Sequence, residues 1–239
     1  MSGRVRVGAG DGARLDRKPG EMVDPAIVLE LVAPAPFVSR GGEKLAGALD
    51  AFGIDPAGRV CLDVGASTGG FTDCLLQRGA TRVYALDVGR GQLAESLRVD
   101  PRVVSMERTH AARLDPGSAE RLVLPEPVTL TVADVSFISL TRLLRGMASA
   151  TAPGGDIVPM VKPQFELTPR DVPGGVVRDP ALRAAAVARV REQASASGLD
   201  VLGESESPLV GPSGNHEWFL WLQVRVTSAA QPSAAVVAS

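Results

Sequence analysis

One run, Leu62-Asp63-Val64-Gly65-Ala66-Ser67-Thr68-Gly69-Gly70, restricts the fold more than any other part of the chain. An apolar stretch that ends in an acid and runs into a glycine-rich turn is how a buried strand hands over to a helix, with the backbone brought close to a ligand. The same alternation continues on both sides. Strands are expected at 59–64, 82–87, 103–106, 128–134, 156–161, 200–206 and 217–225, and helices at 43–52, 70–78, 91–98, 116–122, 139–149 and 180–197. Strands separated by helices predict an α/β, Rossmann-like, doubly wound sheet of seven mostly parallel strands. Only the Pro/Gly/Ser-rich stretch 207–216 separates the last two strands, so the final one is expected to run antiparallel. With 239 residues, 45% of them apolar, the chain can build one such domain of about 200 residues plus a small appendage. Residues 1–33 read as a β-rich appendage, 34–38 as a linker, 39–226 as the main domain, and 227–239 as a disordered tail.

The loop spacing, Asp63-x-Gly65-x-x-x-Gly69-Gly70, is not that of a dinucleotide site, because Ser67 stands where a second glycine would admit a pyrophosphate. An acid at the strand end suits an ammonium group better than a phosphate. The next strand ends at Asp87, whose carboxylate could accept both hydroxyls of a ribose. Together these point to a sulfonium nucleoside, S-adenosylmethionine. Its expected contacts are Asp63, Gly65, Ser67, Gly69, Gly70, Phe71, Asp87, Val88, Gln92 and Asp134.

Composition removes several alternatives. A net charge of −2 does not advertise nucleic-acid binding through bulk charge. No apolar run is long enough for a transmembrane helix and no leader pattern is present, so a cytoplasmic protein without membrane partners is expected. Cys61 and Cys74 fall on a buried strand and its following helix, so core thiols and no metal site are expected. Aromatic residues are only 4%, which leaves no obvious platform for stacking bases.

Arginine dominates the cations, leaving three lysines: Lys18, Lys44 and Lys162. Two of them fall in segments through which the chain resembles the TlyA (haemolysin A-like) family of ribosomal RNA 2′-O-methyltransferases, a branch of the FtsJ-like enzymes. Those segments are Phe37-Val38-Ser39-Arg40-Gly41-Gly42-Glu43-Lys44-Leu45, Cys61 through Thr72, Asp87-Val88-Gly89-x-Gly91-Gln92-Leu93, Ala133-Asp134-Val135-Ser136-Phe137-Ile138-Ser139-Leu140, Val161-Lys162-Pro163-Gln164-Phe165-Glu166, and Gly211-Pro212-Ser213-Gly214-Asn215-His216-Glu217. The resemblance implies a catalytic tetrad, Lys44, Asp134, Lys162 and Glu217. It also implies methyl transfer to a ribose hydroxyl, with ribosomal RNA or a ribosomal subunit as partner. In that chemistry Lys162 orients the hydroxyl and stabilises developing oxyanion charge, with proton acceptance as an alternative role.

The family usually opens with a complete RNA-binding domain. Here only its second half is recognisable, in Ser2-Gly3-Arg4-Val5-Arg6-Val7 and Arg17-Lys18-Pro19-Gly20. Arg90, Glu95 and His110 stand where the family commonly has Tyr, Trp and Asn, and the loop after Phe165 lacks a glycine. A small-molecule acceptor is therefore the alternative substrate class. A membrane-acting haemolysin is the weakest reading, and the oligomeric state is left open.

Overall fold

The computed structural model describes residues 5–7, 22, 24–31 and 35–226. The chain divides into two compact units, Met1–Pro36 and Phe37–Ser239. In the first, strands β1 (Val5–Val7) and β2 (Leu29–Leu31) pair antiparallel. The Arg17–Gly20 segment and the tail expected at 227–239 lie outside the described residues.

The second unit is a three-layer α/β sandwich. Its helices are α1 (Arg40–Phe52), α2 (Gly70–Gln77), α3 (Glu95–Arg98), α4 (Leu144–Ala150), α5 (Pro163–Glu166) and α6 (Pro180–Ala196). Its strands are β3 (Val60–Val64), β4 (Arg82–Leu86), β5 (Val103–Met106), β6 (Val128–Ala133), β7 (Thr151–Val161), β8 (Leu199–Glu206) and β9 (Trp218–Val224). They form one sheet in the order β5-β4-β3-β6-β7-β9-β8, parallel from β5 through β7, with β9 antiparallel to both neighbours. The predicted seven-stranded sheet and its reversed last strand are both present. Central strands read as continuous apolar runs because both faces are covered. Leu45, Leu49, Leu75 and Phe219 pack on one face, and Leu144, Met147, Val187 and Val190 on the other.

Strand order reverses between β3 and β6, and doubly wound sheets bind ligands in the crevice beyond the carboxyl ends at such a point. The two strands leave that edge in close contact. Asp134 N–H donates to Val64 O at 3.0 Å, and a Cβ on Gly65 would lie 2.5 Å from the Asp134 carbonyl oxygen. With φ at +86° as well, that position tolerates only glycine.

Three sequence expectations fail locally. The helix expected over 116–122 does not form. Asp115 accepts the Gly117 N–H at 2.7 Å, and Leu122 N–H returns to Arg113 O at 2.7 Å, so a side-chain turn competes with the helix. The helix expected from residue 91 begins only at Glu95, because Gly91 has φ +65° and its N–H is held by Glu107. Strand β7 starts at Thr151 rather than 156. Its Pro153-Gly154-Gly155 stretch is taken up as a bulge, seen as a register shift between Val128 and Leu130, rather than as a turn.

Candidate active site

Two cavities meet at the carboxyl edge. The first, about 440 Å³, is lined by Ser39, Arg40, Gly41, Lys44, Gly65, Ser67, Gly70, Phe71, Asp134, Ser136, Lys162, Pro212 and Glu217, among others. The second, about 690 Å³, is lined by Gly65, Ser67, Asp87, Val88, Gln92, Thr109, His110, Asp134, Ser136 and Phe137, among others. They share Gly65, Ser67, Asp134 and Ser136.

The first cavity brings all four residues of the implied tetrad together, in two ion pairs. Lys44 from α1 meets Glu217, just before β9, with Nζ to Oε2 at 2.5 Å; both are buried, at 6% and 2% exposure. Lys162, the residue after β7, meets Asp134, the residue after β6, with Nζ to Oδ1 at 2.5 Å. Lys162 Nζ also donates to Ser136 Oγ at 3.0 Å, a partner that sequence reasoning missed. Helix α1 can carry a buried lysine because its inward face also carries Leu45, Ala48 and Leu49, which seat it on the core. It crosses α2 closely: a Cβ on Gly70 would lie 2.1 Å from Ser39 Oγ and 3.0 Å from Gly42 N.

The glycine-rich loop is placed as expected, and four of its backbone donors are already used. Gly65 and Ala66 donate to Leu86 O, Gly69 donates to Ala66 O, and Ser67 donates to Asp87 Oδ2 at 2.7 Å. Ser67 sits at φ +48°, an uncommon conformation for a side-chain-bearing residue, and its Oγ donates to Gln92 Oε1 at 3.1 Å. Asp87 takes Ser67 N–H on one oxygen and Gly89 N–H on the other. A carboxylate has about four lone-pair directions, so capacity remains for ribose hydroxyls. Val88 is exposed at the second cavity's wall, and Phe71 is buried against Phe219 with ring centroids 6.0 Å apart.

Asp63 lies behind the loop. It lines neither cavity and is wholly buried, accepting Thr72 Oγ1 at 2.7 Å on one oxygen while the other has no hydrogen-bond partner. Burial, with Asp134 and Asp87 nearby and only partly offset by the Thr72 hydrogen bond, pushes its carboxyl up to about 7. In the unfolded chain it titrates near 3.8, so the folded state binds the extra proton between those values. The stability that Asp63 contributes is therefore complete below about pH 4 and lost as pH rises through about 7. Across that window the melting temperature of Asp63→Asn should rise relative to wild type. A pH-independent difference between the two would refute this account of Asp63.

Sequence reasoning also missed the rim. Phe137 is 92% exposed, sits at φ +64°, and its ring lies 5.3 Å from that of Phe165. The low aromatic content thus conceals a small aromatic shelf beside Lys162. Arg40 lines the first cavity and Arg142 the second, both exposed.

The sheet order, the crevice and the paired cavities define a Rossmann-like methyltransferase, and residues 37–224 match the FtsJ-like methyltransferase family. The 16S/23S rRNA (cytidine-2′-O)-methyltransferase TlyA of Mycobacterium tuberculosis is 51% identical over 215 residues, covering 89% of this chain and 78% of that protein. Hemolysin A of Brachyspira hyodysenteriae is 41% identical over 191 residues, covering 80% and 78%. The structure of a protein named as a hemolysin from Streptococcus thermophilus superposes with a TM-score of 0.77 at 38% identity, covering 94% of this chain and 80% of that one. The chain belongs to the TlyA branch of the FtsJ-like, S-adenosylmethionine-dependent methyltransferases. Among its described residues, no helix is long and apolar enough to cross a membrane.

Proposed function

We propose that this protein transfers the methyl group of S-adenosylmethionine to a ribose 2′-hydroxyl of ribosomal RNA, in the cytoplasm. The observation that carries the reading is the convergence of the Lys162–Asp134 and Lys44–Glu217 pairs in the cavity beside the one that Asp87 lines. The relatives named as rRNA methyltransferases support the substrate class.

The second cavity fits a nucleoside. Asp87, Gln92, Thr109 and His110 line it together with Gly65. Asp87 would hold the ribose, and Gly65, Ser67, Gly69, Gly70, Phe71, Val88 and Asp134 would shape the remaining contacts. Asp63 would act from behind the loop, through its one unpartnered oxygen. When bound, S-adenosylmethionine supplies a methyl carbon made electrophilic by its sulfonium. The protein's own task is alignment and charge. Lys162 Nζ, fixed by Asp134 and Ser136, would orient the acceptor hydroxyl and stabilise negative charge as the proton leaves oxygen. Lys44 and Glu217 would complete the wall and tie α1 to the start of β9.

A large polyanionic acceptor fits the rim better than a small molecule does. Arg40 and Arg142 supply cations, and Phe137 and Phe165 an apolar shelf on which an unstacked base could rest. Phe137→Ala should raise KM for RNA roughly tenfold, within the ~1–3 kcal/mol of one base stack; because Phe137 also lines the second cavity, S-adenosylmethionine affinity is measured beside it. An unchanged KM would remove the shelf from the binding account. The substrate itself is tested by offering labelled S-adenosylmethionine with ribosomal subunits and, separately, with a small-molecule extract. Label in the 2′-O position of rRNA is expected; label only in small molecules would overturn the reading.

A further inference from the structure

Glu166 lies in the short helix α5 that follows Lys162, only 2% exposed, and no step of the methyl transfer described above uses it. Its two carboxylate oxygens reach across to the segment after β6: Oε1 accepts the Leu140 N–H at 2.7 Å and Oε2 accepts Ser139 Oγ–H at 2.5 Å. Its own carbonyl oxygen accepts from the Arg189 guanidinium of α6 at 2.7 Å, so the strut is anchored in the longest helix of the domain. Between these anchors and the catalytic lysine lies the loop Asp134–Ile138. That loop supplies both partners of Lys162, Asp134 and Ser136. It also carries Phe137 at φ +64°, a conformation disfavoured for a bulky residue that persists only where the surroundings enforce it.

We propose that Glu166 is a positioning residue for methyl transfer: its carboxylate clamps the strand-end loop of β6 to the strand-end turn of β7, and so fixes Asp134 and Ser136 around Lys162. This rests on the catalytic reading of Lys162. The loop and the turn are joined at three places. The Phe137–Phe165 ring pair lies at the exposed rim, the Lys162 contacts lie at the cavity, and the Glu166 bonds to Ser139 and Leu140 lie deepest. Of these, the deepest is the one shielded from solvent. A buried carboxylate is a costly way to fill space, and an apolar side chain would serve packing alone. What the carboxylate adds is a pair of directed, charge-assisted hydrogen bonds that specify one loop conformation. Leu140 opens a 3₁₀ turn whose first N–H needs an acceptor, so the same bond closes an otherwise open helical end.

The test compares Glu166→Ala and Glu166→Gln with wild type. Three quantities are read: kcat and KM for rRNA methylation, S-adenosylmethionine affinity, and amide hydrogen exchange over residues 135–142. Gln can still accept the Leu140 N–H and bond Ser139, so it should retain most of the clamp. For Glu166→Ala, kcat should fall roughly 10- to 100-fold, the scale set by misplacing catalytic groups by about an ångström. Cofactor affinity should stay within about threefold of wild type on the same argument, and exchange should quicken in 135–142 before it does elsewhere. Glu166→Gln should restore kcat to within a few-fold of wild type. Unchanged exchange with unchanged kcat in Glu166→Ala would overturn the proposal. So would a uniform loss of stability and activity that Gln fails to rescue. The exchange readout does not depend on the substrate, so if wild-type enzyme proved inactive on rRNA, the substrate reading would fail while the clamp was still decided.

Discussion

Lys162→Ala should reduce methyl transfer by about 10²–10⁴-fold while leaving the fold and S-adenosylmethionine affinity nearly intact. The side chain lines the cavity and belongs to neither apolar core cluster, so truncating it removes no contact from the apolar core. It leaves Asp134 beside solvent-accessible space that water can fill, rather than as a stranded buried charge. On the proposed reading the loss should appear in kcat, because Lys162 lines the first cavity and its contact with the acceptor hydroxyl would strengthen only as charge develops. Lys162→Arg should not rescue it. A planar guanidinium anchored at the same backbone position cannot place one nitrogen both against Asp134 Oδ1 at 2.5 Å and against Ser136 Oγ at 3.0 Å in the same geometry. Single-turnover transfer of labelled methyl, alongside calorimetric titration of the cofactor, checks both halves. A variant that kept its rate would remove Lys162 from the chemistry. One that lost cofactor binding in proportion would recast it as part of the cofactor site.

The sheet was legible because buried parallel strands must be continuous apolar runs, and 60–64, 82–86 and 128–133 could hardly be anything else. Its crevice was legible from Asp63-x-Gly65, since a turn this tight at a strand end has few uses. Legibility failed where side chains compete with the backbone. Asp115 and Gly117 abolished a helix that hydrophobic spacing favoured, and Glu107 delayed another by holding Gly91. The orientation of Asp63 was not legible for another reason. A strand-end acid in sequence can point into the crevice or away from it, and here Thr72 on α2 captures it behind the loop. Phe137 and Glu166 were quoted only as members of motifs. Their roles depend on two loops meeting in space, Phe137 on Phe165 and Glu166 on Ser139, and no periodicity reports a contact between loops.

The other large effect belongs to the Lys44–Glu217 pair, and its sign depends on how the pair is broken. Both groups are nearly dry, at 8% and 2% side-chain exposure, so removing one strands the other. Lys44→Ala and Glu217→Ala should each lower stability by about 3–5 kcal/mol, the usual scale for an uncompensated buried charge. Replacing both with apolar residues of similar volume, Lys44→Met with Glu217→Leu, should recover most of that loss. The double variant no longer has a charge to desolvate, and its side chains can join Leu45 and Phe71 in the adjoining core. Activity should not return with stability. The cavity wall would then have lost both the cation and the carboxylate that, on this reading, shape the acceptor site beside Lys162. Chemical denaturation of the two singles and the double, read as a thermodynamic cycle, isolates the coupling between the partners. Methyl-transfer rates on the same three proteins separate charge needed for folding from charge needed for catalysis. If the apolar double variant were both stable and fully active, the pair would be an architectural tie between α1 and β9, and catalysis would rest on Lys162 and Asp134 alone.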